Sequence, residues 1–368
     1  MTRVLVVNTG SSSIKLSLLD AGDQVVAATE LQWRDGAEPP GELTGFVAGL
    51  DGIGAVGHRV VHGGRTLHTA TVIDGAVRQA IVEATDLAPL HQPRALAAID
   101  AVTALLTGVP AVACFDTAFH HDMPAAAATY ALPAAWRDRF GLRRYGFHGL
   151  SHGYAARRGA ALLGTTPDKL RMVTCHLGAG ASLAAVRYGR SVDTTMGFTP
   201  LDGLVMATRP GNTDPGLLVW LLRDGGIPVT ELASGLEHES GLYGLAGSAD
   251  MRDVMRSAQA GEPAAVLARD VYTHRLRQQI AAMAAAMDGL DALVFAGGVG
   301  EHSAPIRASA ALGFLGIAVD DERNHSAHSD ADISADGAAV RTLVVTARED
   351  IEIAHQVRAL LTSALAAR

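Results

Sequence analysis

The chain has 368 residues, long for one core and short for three, so two domains are the natural division. A hydrophobic share of 48% beside 18% charged residues excludes a disordered chain, and a net charge of −8 argues against a general nucleic-acid binder with a basic surface. No apolar run nears the ~18 residues of a membrane span, and the run in MTRVLVVN is too short for a signal-peptide core, so a cytoplasmic protein with no membrane or nucleic-acid partner is expected.

VLVVN (4–8) is a short buried-strand run, TGSS a turn, and IKLSLLD (14–20) the returning strand. QVVAAT (24–29) supports a third strand, and DGAEPPGE (35–42) is a loop by its Pro and Gly content. IGAVGHRVV (53–61) reads as a strand ending in the glycine turn HGG; helical patterns follow at 74–86 and 92–107, then the strand PAVACFD (110–116). Between 125 and 148 the pattern is too weak to set boundaries. The chain then starts again. RMVTCHLGAGASLAAVR (171–187) repeats the strand, small-residue turn and strand of the N-terminus, which points to an internal duplication. Helices follow at 214–224, 250–259 and 263–288, and in the last Tyr272, Leu276, Ile280, Met283 and Met287 recur at steps of four and three along one face. DALVFAGG (291–298) is a strand with a glycine turn, and Ser303 is a candidate cap for a following helix. RTLVVTA (341–347) is the last strand, and 349–367 an amphipathic helix. Cys114 and Cys175 lie in apolar strand-like runs and read as buried thiols, not a disulfide. RNHSAHSD (323–330) reads as an exposed polar loop in preference to a metal site.

Phosphates are bound by small residues on tight turns, where backbone N–H groups can approach the anion. NTGSSSIK (8–15) supplies Gly10, three serines and Lys15, one of only two lysines in the chain; an ordinary hairpin turn reads equally well. HLGAGAS (176–182) and FAGGVGEH (295–302) are further glycine turns. Each alone is weak, but three together, two of them on duplicated hairpins, suit a nucleotide held between two domains. No GxxxxGK[ST] occurs, so a Walker-type loop is excluded. Arg59 falls at a strand end, Asp116 just after a strand, His148 and His152 in a turn, and Arg209 at the end of a nearly uncharged loop. Singly, each is also read as an ion-pair partner or a satisfied turn residue.

Taken in order, NTGSSSIK, GHRVVHGG, APLHQP, FDTAFH, YGFHGLSH, CHLGAGAS, DTTMGFTPLDGL, ATRPGNTDPG, ADMRDV, FAGGVGEHS and EDIEIA resemble the acetate kinase family, within the wider group of sugar kinases, actin and Hsp70-type ATPases. The resemblance runs over nearly the whole chain. It implies an α/β fold of two duplicated actin-like (ribonuclease H-like) domains with a cleft between them. The first would hold 1–147 and the C-terminal helix 350–368, the second 148–349. It also implies a homodimer and reversible, Mg²⁺- (or Mn²⁺-) dependent phosphorylation of acetate by ATP to give acetyl phosphate and ADP. Propionate or another short-chain acid, or a non-catalytic actin-like protein, are the alternatives.

Carried over residue by residue, Asn8 and Glu349 match metal-holding positions, Arg59 the carboxylate-binding residue, Asp116 the essential acid, and His148 and Arg209 the groups that stabilise the transferring phosphoryl. Lys15, with Ser11 and Ser13, and the turn His176, Leu177, Gly178, Ala179 and Gly180 match phosphate-binding positions. Asp250, Met251 and Arg252 match the nucleotide site, as do Gly298, Val299, Gly300, Glu301 and His302. Val61, Leu90, Phe147 and Pro200 match the apolar pocket for the substrate methyl group. The sequence departs from the family pattern at Ala179, usually asparagine, at Asn212, usually aspartate, and at Gln92 and Arg94. Loss of the Ala179 side-chain donor leaves the choice of phosphate donor open.

Overall fold

A computed structural model describes residues 3–10, 13–33 and 41–366, with side chains to residue 363. The chain divides into two compact units, one of Met1–His121, Phe147–Tyr154 and Arg348–Arg368, the other of Asp122–Gly146 and Ala155–Ala347.

The first unit is built on strands β1 (Arg3–Thr9), β2 (Ser13–Leu19), β3 (Val25–Gln32), β4 (Ile53–Val60), β5 (Thr71–Val72) and β6 (Ala111–Phe115), in the order β3-β2-β1-β4-β6-β5. The second carries β7 (Arg171–Leu177), β8 (Ala181–Arg187), β9 (Arg190–Thr194), β10 (Ala292–Ala296), β11 (Ala331–Asp332) and β12 (Arg341–Val344), in the order β9-β8-β7-β10-β12-β11. The two sheets share one plan. An antiparallel three-strand meander is extended by two parallel strands and closed by a two-residue antiparallel edge. The duplication expected from the two hairpins is therefore present in the whole sheet.

Alternation along β1 shows how the core forms. Leu5 and Val7 enter one apolar cluster with Ala98 and Val102 of the Gln92–Leu105 helix; Val4 and Val6 enter another with Ile353, Ala354 and Val357 of the Glu349–Ala366 helix. Both faces of the sheet are covered, which is why β1, β4 and β6 read as near-continuous apolar runs. Gly57 lets the last helix sit this close, since a Cβ there would lie 2.5 Å from Ile353 Cγ2 and 2.9 Å from Val357 Cγ2. In the second unit Tyr272, Leu276, Ile280, Met283 and Met287 are all buried, as their spacing on the Pro263–Ala286 helix requires. Cys114 and Cys175 are buried free thiols. Among the described residues no helix is long and apolar enough to cross a membrane.

Several local expectations need correction. The glycine turn after β10 is a short helix, Gly297–His302, entered through Gly297 at φ 78°. Ser303 stands ahead of the Ala304–Ser309 helix but makes no side-chain cap bond; its N–H closes the preceding helix on Val299 O. The segment read as an exposed polar loop overlaps the Asp321–Ser326 helix, capped by Asp320 Oδ1 on Arg323 N at 2.8 Å, with Asn324 fully buried. The helices Gly149–Leu162, Val229–His238 and Gly241–Ala246 and strand β9 were not anticipated.

Candidate active site

β1, β4 and β6 are parallel neighbours, so their C-terminal ends open on the same sheet edge, where α/β proteins place functional groups. Asn8 lies near the end of β1, Arg59 near the end of β4, and Asp116 directly follows β6. Arg59 grips Asp116 as a fork: Nη2 donates to Oδ2 at 2.6 Å, and Nε to Oδ1 and Oδ2 at 3.1 and 3.2 Å. Its Nη1 donates to Asn8 Oδ1 at 3.2 Å, and Asn8 Nδ2 donates to Glu349 Oε2 at 2.9 Å. Four residues far apart in sequence thus form one network in the first unit. Asp116 is 1% exposed and Arg59 14%. Burial opposes the Arg59 charge, but Asp116 and Glu349 more than offset it and its pKa lies above the ordinary arginine value. Burial pushes the Asp116 carboxyl up while Arg59 pulls it down, and the fork geometry favours the ionised pair.

His148 is held beside this network by its backbone. It adopts a left-handed φ of 55°, rare for a residue with a side chain. Gly149 N donates to Asp116 O at 2.9 Å, His152 N to His148 O at 2.9 Å, and His120 Nε2 lies 3.1 Å from Phe147 O, which can only accept. Phe147 and Val61 are buried, whereas Leu90 is 48% exposed.

Gly10 N donates to Ser13 O at 2.8 Å and tightens the first turn. Ser11 lies outside the described residues. Ser13 Oγ donates to Glu30 at 2.8 Å and Lys15 Nζ is 4.0 Å from the same carboxylate, so both side chains turn to β3. The departures at Arg94 and Gln92 have work of their own: Arg94 Nη1 donates to Gly10 O at 3.4 Å, and Gln92 Nε2 to His62 O at 2.9 Å.

In the second unit, Gly178 N donates to Gly180 O at 3.0 Å, and Ala207 N to Ala179 O at 3.1 Å, which ties the turn after β7 to the loop bearing Arg209. Leu177 is buried and His176 half-buried. A Cβ on Gly297 would lie 2.9 Å from Leu177 O, so the segment holding Gly298, Val299, Gly300, Glu301 and His302 runs close beside His176–Gly180. The Glu301 carboxylate accepts from Gly297 N and Ala347 N, both at 3.0 Å. Asp250 caps the Met251–Gln259 helix, and Arg252 folds back on it, so that hydrogen bonds from Arg252 side chain and backbone lower the Asp250 pKa to about 2. Arg209 Nη1 is 3.5 Å from Pro200 O and its Nε 3.4 Å from Glu237; burial lowers its pKa against the pull of Glu237. Asn212 exchanges two backbone-level bonds with Gly203, 2.8 Å through Oδ1 and 3.0 Å through N, a role aspartate would also fill.

Sequence reasoning passed over His120, Gly149, Glu237 and Arg307. His120 stood inside a quoted motif, but its partner is a carbonyl that only the fold brings near.

His58, His62 and His120 are buried in the first unit, and burial lowers their pKa to about 3, about 4 and about 4 respectively. In the unfolded chain they protonate near 6.5, while folded they stay neutral. The unfolded form therefore binds more protons as pH falls, and stability drops from about pH 6.5 towards 4, by up to about 1.4 kcal/mol per unit for each. Thermal midpoints between pH 7 and 5 should fall, and His58→Leu should flatten that slope. An unchanged slope in this variant would remove His58 from the account.

Residues 44–355 match the model of the acetokinase family. The chain belongs to the acetokinase family. An acetate kinase of Synechococcus sp. is 47% identical, with 97% of this chain and 99% of the relative aligned. Another, from Streptomyces avermitilis, is 44% identical over 99% of this chain and 98% of its own. Among solved structures, an acetate kinase from Porphyromonas gingivalis superposes with a TM-score of 0.90 at 34% identity, over 98% of this chain and 100% of that one. A propionate kinase from Francisella tularensis gives 0.89 at 34% identity, over 97% and 99%. The two-sheet α/β fold read from the sequence is thus that of family members, and the chain is a kinase.

Proposed function

We propose that this family member transfers the γ-phosphoryl group of ATP to acetate, reversibly, giving acetyl phosphate and ADP. The observation that carries the reading is the Arg59–Asp116–Asn8–Glu349 network at the ends of β1, β4 and β6. Acetate is anionic at neutral pH and needs no base. One carboxylate oxygen forms the new bond to phosphorus as the bond to the ADP oxygen breaks, so catalysis is positioning and charge neutralisation. Arg59 binds the acetate carboxylate. Asp116, with both oxygens on Arg59, orients that guanidinium and takes no proton. His148 and Arg209 neutralise the transferring group, and Val61, Leu90, Phe147 and Pro200 enclose the methyl. The phosphates of ATP lie on Ser11, Ser13, Lys15 and residues 176–180, and the nucleoside on 250–252 and 298–302.

Asn8 and Glu349, joined by the Asn8 Nδ2 bond to Glu349 Oε2, carry an amide and a carboxylate oxygen, hard donors of the kind Mg²⁺ takes. Among the described residues no three His, Cys, Asp or Glu side chains gather to hold a metal. When bound, Mg²⁺ supplies charge neutralisation on the phosphates.

The same reading makes the protein a cytoplasmic homodimer. The helices Pro215–Arg223 and Val229–His238 contain no buried residue and expose Leu217, Val219, Trp220 and Val229 at 46, 54, 52 and 70%. These exposed apolar side chains support a subunit contact here. Light scattering should give twice the chain mass, and Trp220→Glu the monomer; a monomeric parent would contradict the assignment.

Propionate is the second reading, favoured by the equal likeness to a propionate kinase. The reaction is tested in reverse: acetyl phosphate and ADP with Mg²⁺ should yield ATP detectable by luciferase light. Absence of ATP with either acyl phosphate would overturn the proposal.

A further inference from the structure

Arg307, on the Ala304–Ser309 helix, is the largest fully buried side chain among the described residues, 1% exposed. No carboxylate pairs with it among the described residues; its donors go to carbonyl and amide oxygens. Nε donates to Asn324 Oδ1 at 2.7 Å and Nη2 to Asn324 O at 2.6 Å. Nη1 donates to Gly300 O at 3.0 Å and Glu301 O at 2.7 Å. Those two carbonyls end the Gly297–His302 helix, where the chain leaves acceptors without intrahelical partners and where positive charge is favourable. At the other end, the Glu301 carboxylate takes Gly297 N. Asn324 is itself fixed by Nδ2 on Ala304 O at 2.9 Å.

A buried guanidinium without a counter-charge is costly, and an apolar residue would fill the same volume at less cost. What an apolar residue could not do is hold two successive carbonyls of a six-residue, three-glycine helix in one orientation. We propose that Arg307 is a positioning residue for the nucleotide, acting through Gly298–His302 without touching ATP itself. The inference rests on the reading above that this segment contacts the nucleotide.

Arg307→Lys keeps the charge but cannot serve Asn324 and both carbonyls together. It should raise the KM for ATP about 10-fold while the KM for acetate stays within about 2-fold, a split that general loss of packing would not produce. His302→Ala, an exposed change within the segment, is measured beside it and reports whether the segment contacts nucleotide at all. If His302→Ala shifts the KM for ATP and a folded Arg307→Lys does not, positioning by Arg307 is overturned and the nucleotide reading stands. If neither variant shifts it, the nucleotide reading falls and takes the proposal with it. Equal shifts for ATP and acetate also overturn it. Should Arg307→Lys fail to fold, Asn324→Ala removes one of the four bonds and should raise the KM for ATP about 3-fold; an unchanged value there overturns the proposal.

Discussion

Arg59→Ala should lower turnover about 10²-fold or more, and the same change should cost stability. The catalytic loss follows from removing the donor proposed for the acetate carboxylate. The stability loss follows from burial: Asp116, 1% exposed, would be left without the guanidinium that holds both its oxygens. Removing one member of such a pair costs roughly 3–5 kcal/mol. The two effects separate in a double variant. Asp116→Asn in the Arg59→Ala background removes the stranded charge and should restore much of the thermal midpoint without restoring turnover. Near-normal turnover in folded Arg59→Ala would take the substrate role from Arg59, and a double variant no more stable than the single would take the buried-charge argument with it.

Gly149→Ala should be nearly as damaging, although it adds only one methyl group. A Cβ at Gly149 would stand 2.2 Å from Asp116 O and 2.8 Å from Phe119 Cβ. The first of these is backbone immediately after β6 and has no room to give. The start of the Gly149–Leu162 helix must move instead, carrying His148, whose left-handed backbone depends on the Gly149 N–H to Asp116 O bond. Overpacking of this kind costs about 1–3 kcal/mol, and a displacement near 1 Å can cost about 10²-fold in rate. Gly45→Ala is the matched control, because a Cβ there meets nothing within 4 Å and helical alanine is favoured over glycine by about 0.5–1 kcal/mol. Parent-like turnover in Gly149→Ala would mean that His148 does not need this geometry.

The strands were legible because β1, β4, β6, β7 and β10 are short, largely apolar and largely buried runs, and such runs survive without tertiary information. The duplication was visible in two hairpins alone; its extension to the two parallel strands and the short edge was not, since Thr71–Val72 and Ala331–Asp332 are too brief to carry a pattern. The Gly149–Leu162 helix escaped because its glycines lower helical propensity. The fold needs them small: Gly153 lies under Phe119 and Glu352, and a Cβ on Gly159 would meet Val294 at 3.0 Å. The Asp321–Ser326 helix was masked by its polar composition, which hides that Asn324 is a buried partner of Arg307. At the candidate site, Asn8, Arg59, Asp116 and Glu349 were nameable from ordered motifs. That Arg59 would link Asp116 to Asn8 follows from the parallel pairing of β1, β4 and β6, and that Asn8 would meet Glu349 from the packing of the last helix against β1.

The most direct measurement mixes purified protein, Mg²⁺, ATP and hydroxylamine with acetate, propionate or butyrate and reads the acyl hydroxamate. Phosphoryl transfer to a carboxylate predicts hydroxamate formation that is greatest with acetate and nearly absent in Arg59→Ala. Hydroxamate with no acid, from protein that still binds ATP, would contradict carboxylate phosphorylation and leave only a nucleotide-binding protein.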